Sequence, residues 1–401
     1  MAAPLEGIRI LDWTAWQQGP TATCLLADMG AEVIKIEDPR GEPGRGLVRM
    51  MGFPVPVNFY FENQNRGKKG IVLNLQTEKG REVLYELAAK SDAFVTNFRM
   101  SIAKRLKADY ETLVQYNSKL IYGHASGWGA FGPDADDPAY DLAGQGRGGL
   151  MGCTLADDGT PIPIGSGLAD EAGAVLLAYG MVLALFARER TGEGQLVDAS
   201  LLGGQVEMCR LWFHGYLSGG LNLAVPYKKA SSNPLWFHYK CQDDKWIVLA
   251  MLQPDRMWPG FCKALKIEHL EKDPKFENQA ARAANIEEIR NIITDILLTK
   301  PKDEWIGILK EQGCIVAPVN DFADLAKDAQ VLANEYITDI EDPRHPDGKY
   351  KVPGIPVKLS KTPGRVTTPA PELGQHTEEV LMDILGYSWE NLTKLRDEGV
   401  Y

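Results

Sequence analysis

Short apolar runs alternate with amphipathic stretches along the first two hundred residues of the chain. A run at 8–11 predicts a strand, and Gly19-Pro20 marks a turn that also suits a helix start. Residues 21–29 then read as a helix closed by Gly30, and 32–36 alternates as a second strand. Further strands are predicted at 71–75, 93–96, 120–124 and 196–199, with a helix over 78–90. Strands separated by helices predict a doubly wound parallel sheet, a Rossmann-like α/β fold. The dinucleotide fingerprint GxGxxG is missing after the first strand, where Trp16-Gln17-Gln18-Gly19-Pro20 stands, so nicotinamide binding gains no support.

Between 126 and 167 the chain is rich in Gly, Pro and Asp, which predicts long loops that carry function. The longest apolar run, 172–187, has sixteen residues and stops at Arg188. Spanning a bilayer takes about 20 residues, so the run reads as a buried core helix rather than a membrane segment. Beyond 225 the pattern changes to one strand (245–251) and amphipathic helices at 254–265, 286–299 and 302–312. The expected division is a large domain over 1–224, a smaller α+β domain over 225–325, and a C-terminal segment over 326–401 that packs back on the large domain.

Composition narrows the function. A net charge of −11 argues against a nucleic-acid partner. An anionic ligand can still be held by a local cluster, and Arg66 to Lys69 (RGKK) and the stretch 99–107 are the places for one. Six cysteines without a CxxC pair argue against a zinc ribbon or a disulfide framework, and no metal site is expected. The start MAAPLEGIRIL lacks the character of a signal peptide, so a cytoplasmic protein is expected.

The most informative segment runs from Gly165 to Gly173, with Asp170 among small residues just ahead of the apolar run. Two readings overlap there. Asp170 could be a helix N-cap, worth about 1 kcal/mol. It could equally present a carboxylate to a cleft, where a carboxylate can act as a covalent nucleophile.

A series of motifs bears on that choice: Pro4-Leu-Glu-Gly-Ile-Arg-Ile-Leu-Asp12, Gly30-Ala-Glu-Val-Ile-Lys-Ile-Glu37, Asn97-Phe98-Arg99, Gly127-Trp-Gly129, Pro138-Ala-Tyr-Asp141, Arg188-Glu-Arg-Thr-Gly-Glu-Gly-Gln195, Gly313-Cys-Ile-Val-Ala-Pro-Val319 and Leu373-Gly-Gln-His-Thr377. In this order, nearly end to end, they resemble the family III CoA-transferases and the related α-methylacyl-CoA racemases. The resemblance implies that Asp170 is the nucleophile, carrying the acyl group as a mixed anhydride and then as an aspartyl-CoA thioester. It implies acyl-CoA and a carboxylic acid as substrates, with no permanently bound cofactor. Gln17 and Gln18 match residues near the thioester and pantetheine, Leu73 and Gln76 a stretch beside the adenine, and Arg105 a phosphate-contacting arginine. Asn97, Phe98 and Arg99 follow the fourth strand, where such sheets bind ligands, and are implied to bind CoA as well; Tyr140 lies in the segment facing Asp170 and is implied to contact the acyl-CoA and orient its acyl group.

Two departures separate the chain from formyl-CoA transferases. Asp38 stands where they have an arginine, leaving Arg40 as the nearby cation for the adenine end. Their glycine-rich mobile loop is replaced by the shorter 230–234. Formate or oxalate chemistry is therefore not expected. Racemases resemble one another in a histidine beside the aspartate of the middle loop; here Tyr140 takes that place, and His124 reads as structural. The spacing Trp13-x-x-Trp16-Gln17 looks most like the benzylsuccinate branch of the family, with succinyl-CoA as donor. Trp13, Trp16, Phe59, Tyr60 and Trp128 are either core or the wall of a site for a bulky, aryl-substituted acid. The resemblance also implies an interlocked dimer, either of this chain or with a related subunit, one of which can lack chemistry.

Overall fold

Six strands form one sheet, and apolar residues predominate on both faces of its inner strands, as in strands covered by helices on each side. They are β1 (Arg9–Trp13), β2 (Glu32–Glu37), β3 (Lys68–Val72), β4 (Ala93–Thr96), β5 (Ile121–Ser126) and β6 (Leu196–Ser200). In the computed structural model, which describes residues 3–53, 57–165, 167–222, 224–226 and 231–401, their order is β3-β2-β1-β4-β5-β6. Every pairing is parallel. Connections after β1 and β4 diverge to opposite sides in this order. That opens a crevice at the carboxyl ends of the strands, the usual place for a ligand in such sheets.

The sheet belongs to the first of two compact units, made of residues 1–153, 161–222 and 334–401. One face of the sheet buries Leu11, Ile34, Ile71 and Phe94 with Leu84 and Leu87 of the helix Glu78–Ala89, and with Val380, Leu381, Leu392 and Leu395 from the two last helices. The other face buries Ile10, Val33, Val95 and Ile121 with Leu26 of the helix Gln18–Asp28 and with Ala174, Leu177 and Met181.

These last three lie on the helix Leu168–Thr191. It is 24 residues long, so the apolar run understates it: Leu168 to Glu171 and Arg188 to Thr191 complete it at either end. By length and apolarity alone it is long enough to cross a membrane, yet one face is core of this unit, packed on the sheet. The third strand also departs from expectation. It begins at Lys68, because the Lys68 side chain points inward and is wholly buried.

The second unit comprises residues 154–160 and 223–333. It holds an antiparallel sheet of β7 (Trp236–Lys240), β8 (Trp246–Ala250) and β9 (Val316–Val319). Helices Pro254–Leu265, Ile286–Leu297 and Lys302–Glu311 cover it around Trp258, Phe261, Ile293 and Trp305. Ser166 and Ala230, which fall in segments singled out above, lie outside the described residues.

Candidate active site

Buried charge sets the floor beneath the crevice. Asp12 and Lys35 are register partners on β1 and β2, and Lys68 stands on β3. Lys68 Nζ reaches Asp12 Oδ2 at 2.7 Å, Pro20 O at 2.9 Å and Asn65 Oδ1 at 2.9 Å. Lys35 Nζ pairs with Glu42 at 2.9 Å and donates to Thr14 O at 3.1 Å. Thr14 and Thr23 both donate to Asp12. Although burial pushes its carboxyl up, the two lysines hold Asp12 below the usual carboxylate range. The RGKK segment is therefore not an anion-binding cluster. Arg66 pairs with buried Asp28 at 2.7 Å, Lys68 with Asp12, and Lys69 with Glu32 and Glu379.

This network ties down residues 12–20, which carry the next layer. Asn97, just past β4, receives Ala15 N–H at 2.9 Å and donates to Ala15 O at 2.6 Å. A side-chain amide thus continues the β1–β4 pairing one step beyond the sheet. Trp16 follows with φ 67°, a left-handed backbone that costs a bulky residue about 1–2 kcal/mol. The turn delivers Gln17 and Gln18 to the long helix. Gln17 Nε2 donates to Glu171 at 2.9 Å, and Gln18 Nε2 donates to Ala199 O at 3.0 Å. Both amides run so close to the helix that a Cβ on Gly167 would sit 2.2 Å from Gln17 Nε2, and one on Gly173 2.5 Å from Gln18 Nε2.

Above this floor lies a cleft of about 240 Å³, lined by Trp16, Gln17, Gln18, Tyr60, Asn97, Phe98, Arg99, His124, Tyr140 and Asp170. Asp170 is not the N-cap. Gly167 holds that position with φ 85°, and the carboxylate that caps the backbone belongs to Asp141, which accepts from Ala169 N at 2.6 Å. Asp170 itself stands in the first turn of the helix. Its carboxylate has no hydrogen-bond partner among the described residues, and its carboxyl is pushed up to about 7 by burial first, then by Asp141 and Glu171. Burial likewise raises the Glu171 carboxyl, against the hydrogen bond from Gln17.

Seven of the residues singled out in the sequence therefore meet in one place: Asp170, Gln17, Gln18, Asn97, Phe98, Arg99 and Tyr140. Three do not. The Leu73 side chain is core, while Gln76 and Arg105 are exposed outside the cleft lining. Tyr140, 63% exposed, is no core aromatic, and its ring meets Trp16 edge-on at 6.0 Å. Of the other aromatic candidates, Trp16 and Tyr60 line the cleft; Trp13 is buried on Phe98, Phe59 packs on Phe53, and Trp128 lies under Arg147. Arg40 is paired with Asp38 at 2.8 Å, so the cation offered for the adenine end is already partnered.

His124, read from sequence as structural, lines the cleft, but both ring nitrogens are engaged. Nδ1 faces Asp198 at 2.9 Å and Nε2 faces Phe98 O at 3.2 Å. Sequence reasoning missed Asp141 as the helix cap and Asn97 as a backbone clamp. A carboxylate directly after the Tyr140 segment and an amide directly after a strand were visible, but nothing local says which distant backbone each will reach.

Crevice, half-buried carboxylate and aromatic wall describe an α/β enzyme with its site at the carboxyl ends of the strands, and the comparisons give its class. Residues 5–377 match the family described as CoA-transferase family III, and the chain belongs to it. It is 32% identical to the formyl-CoA:oxalate CoA-transferase of Streptomyces avermitilis, over the whole of both chains. It is equally 32% identical to the cinnamoyl-CoA:phenyllactate CoA-transferase of Clostridium sporogenes, covering 98% of this chain and 96% of that one. A CAIB/BAIF family protein from Brucella suis superposes with a TM-score of 0.85 and 27% identity over 96% of this chain and all of its own. The chain is therefore a CoA-transferase, an enzyme whose substrates are CoA thioesters.

Proposed function

We propose that this enzyme moves CoA from an acyl-CoA donor, succinyl-CoA by preference, to a bulky, aryl-substituted carboxylic acid of the benzylsuccinate kind. The observation that carries the reading is the Asp170 carboxylate, without a hydrogen-bond partner among the described residues and lining a cleft with Trp16, Tyr60 and Tyr140. Identity to relatives does not separate small acids from aryl ones, since the oxalate and phenyllactate enzymes match equally well. The aromatic wall favours the aryl class, because flat rings give large apolar contact with an aryl group.

In the proposed cycle a carboxylate oxygen of Asp170 attacks the donor thioester carbonyl, and the C–S bond breaks with its electron pair leaving on CoA. The thiolate then attacks Cγ of the resulting anhydride. That releases the donor acid as its carboxylate and leaves an aspartyl-CoA thioester. The acceptor carboxylate repeats both steps in reverse. Gln17, Gln18 and Phe98 flank the thioester and pantetheine in this scheme, with Arg99 as the cation nearest the cleft. Gln76 and the Leu73 segment remain assigned to the adenine end, and Arg105 to a CoA phosphate. We also propose that two chains, identical or related, interlock over apolar side chains that the first unit leaves exposed on the long helix.

Purified protein with succinyl-CoA and a panel of acceptors tests the substrate reading; turnover of small aliphatic acids alone sinks the aryl proposal. Replacing Asp170→Asn should leave a folded protein with no transferase turnover. Racemisation has less support, because Tyr140 rather than histidine stands beside Asp141 and His124 has no unengaged ring nitrogen. Exchange of α-deuterium into an (R)-2-methylacyl-CoA without any acceptor acid would reverse that preference.

A further inference from the structure

The helix that carries Asp170 is capped from outside by a second carboxylate. Asp141 Oδ1 accepts from Ala169 N–H at 2.6 Å and from Asp170 N–H at 3.3 Å, while Oδ2 accepts from Gln145 Nε2 at 2.8 Å. Gln145 is itself fixed, its Oε1 accepting from Ile164 N–H at 2.9 Å. A helix N-terminus ordinarily stabilises one nearby anion. Here Asp141 occupies that place first, and the carboxylate of Asp170 must form beside it.

We infer that Asp141 is a positioning residue whose negative charge drives Asp170 toward its acylated, uncharged state. This rests on Asp170 being the acyl carrier. Over the first half of the cycle Asp170 carboxylate and acyl-CoA become aspartyl-CoA thioester and free carboxylate. The negative charge therefore leaves Asp170 with the departing acid. A neighbour that penalises the carboxylate against the neutral acid penalises it against the neutral thioester by nearly the same amount. Burial, Asp141 and Glu171 all act in that direction. The other charged or titratable groups facing the nucleophile are Tyr60, from the helix Phe59–Asn65, and Asp137, Arg99, His124 and Tyr140, which line the same cleft. Of all these, only Asp141 is hydrogen-bonded to the Asp170 backbone, so its distance from the nucleophile is fixed.

The test uses two variants. Asp141→Asn keeps an oxygen for the two helix N–H groups but turns a second donor toward Gln145 Nε2. Adding Gln145→Glu removes that conflict: the new carboxylate accepts from the amide at 141 and from Ile164 N–H, and the charge moves from position 141 to buried position 145, off the Ala169 and Asp170 N–H groups. Each protein is mixed with succinyl-CoA without acceptor, quenched, and scored by mass spectrometry for thioester at Asp170 across a pH series. In the wild type the acidic limb of acylation should stand near pH 7. Both variants should move it down, and the ratio of thioester to free enzyme should fall about tenfold for each pH unit moved. A folded double variant with unchanged ratio and unchanged limb overturns the inference. Thioester or turnover persisting in Asp170→Asn would instead overturn the nucleophile reading, so the two failures are distinguishable.

Discussion

Asn97 lines the cleft, and each end of its amide makes a hydrogen bond to Ala15. Its contribution passes through the strained Trp16 turn to Gln17. Asn97→Ala should therefore lower kcat/KM by about a hundredfold, with kcat carrying most of the loss, because a shift of about 1 Å at a reacting group has that effect. A rise in the KM for acyl-CoA with unchanged kcat would show direct ligand contact instead. Asp170 offers a second test at this scale. Its folded carboxyl stands near 7 against an unperturbed 3.8, so between those values the folded state holds more protons than the unfolded one. Stability then falls as pH rises through that window, by a few kcal/mol at most. Asp170→Asn should melt higher than the wild type at pH 8, with the difference closing by about pH 4; equal melting temperatures at pH 8 would remove the penalty.

Among the elements, the sheet was legible because its strands are short, apolar and separated by helical stretches. What the pattern hid was charge inside the sheet. Asp12 sits in the apolar Arg9–Trp13 strand, and Lys35 and Lys68 interrupt apolar alternation in β2 and β3. An ionisable residue in a buried strand requires a partner, but sequence does not say which. Reading RGKK as a cationic cluster for an anion starts the strand at 71, whereas the buried Lys68 already belongs to β3. Asp170 was legible as a candidate, whereas its cap lies 29 residues upstream, at the start of the short helix Asp141–Arg147, in a stretch whose sequence shows no periodicity. Lys68→Met strands the Asp12 charge and should cost about 3–5 kcal/mol in urea unfolding. Adding Asp12→Leu should recover much of that; a single variant as stable as the wild type would show that the network does not hold β1 to β3.

For the whole molecule, the long helix buries one face and leaves Val175, Tyr179, Val182, Leu183 and Phe186 exposed, while Leu211, Trp212 and Leu217 of the helix Arg210–Gly219 are exposed as well. Apolar surface of this extent calls for a cover, and the proposed interlocked second chain supplies one. Phe186→Glu with Leu183→Glu should lower the mass measured by light scattering toward that of one 44.3 kDa chain. A wild type already of that mass would dispose of the dimer.

Gly167 and Gly173 admit Gln17 and Gln18 only because neither has a side chain, and any larger residue would push an amide out of place. The ground beside the nucleophile is closed to variation on both sides of the contact. A lineage of such enzymes adapting to new acids, or a laboratory attempting the same, has to work on the opposite wall. Under the proposed function, Tyr60 and Tyr140 are where a substitution should change the guest without disturbing the machinery, so libraries for retargeting belong there first. Trp16 comes last, because its backbone is already bent to serve the glutamine beside it.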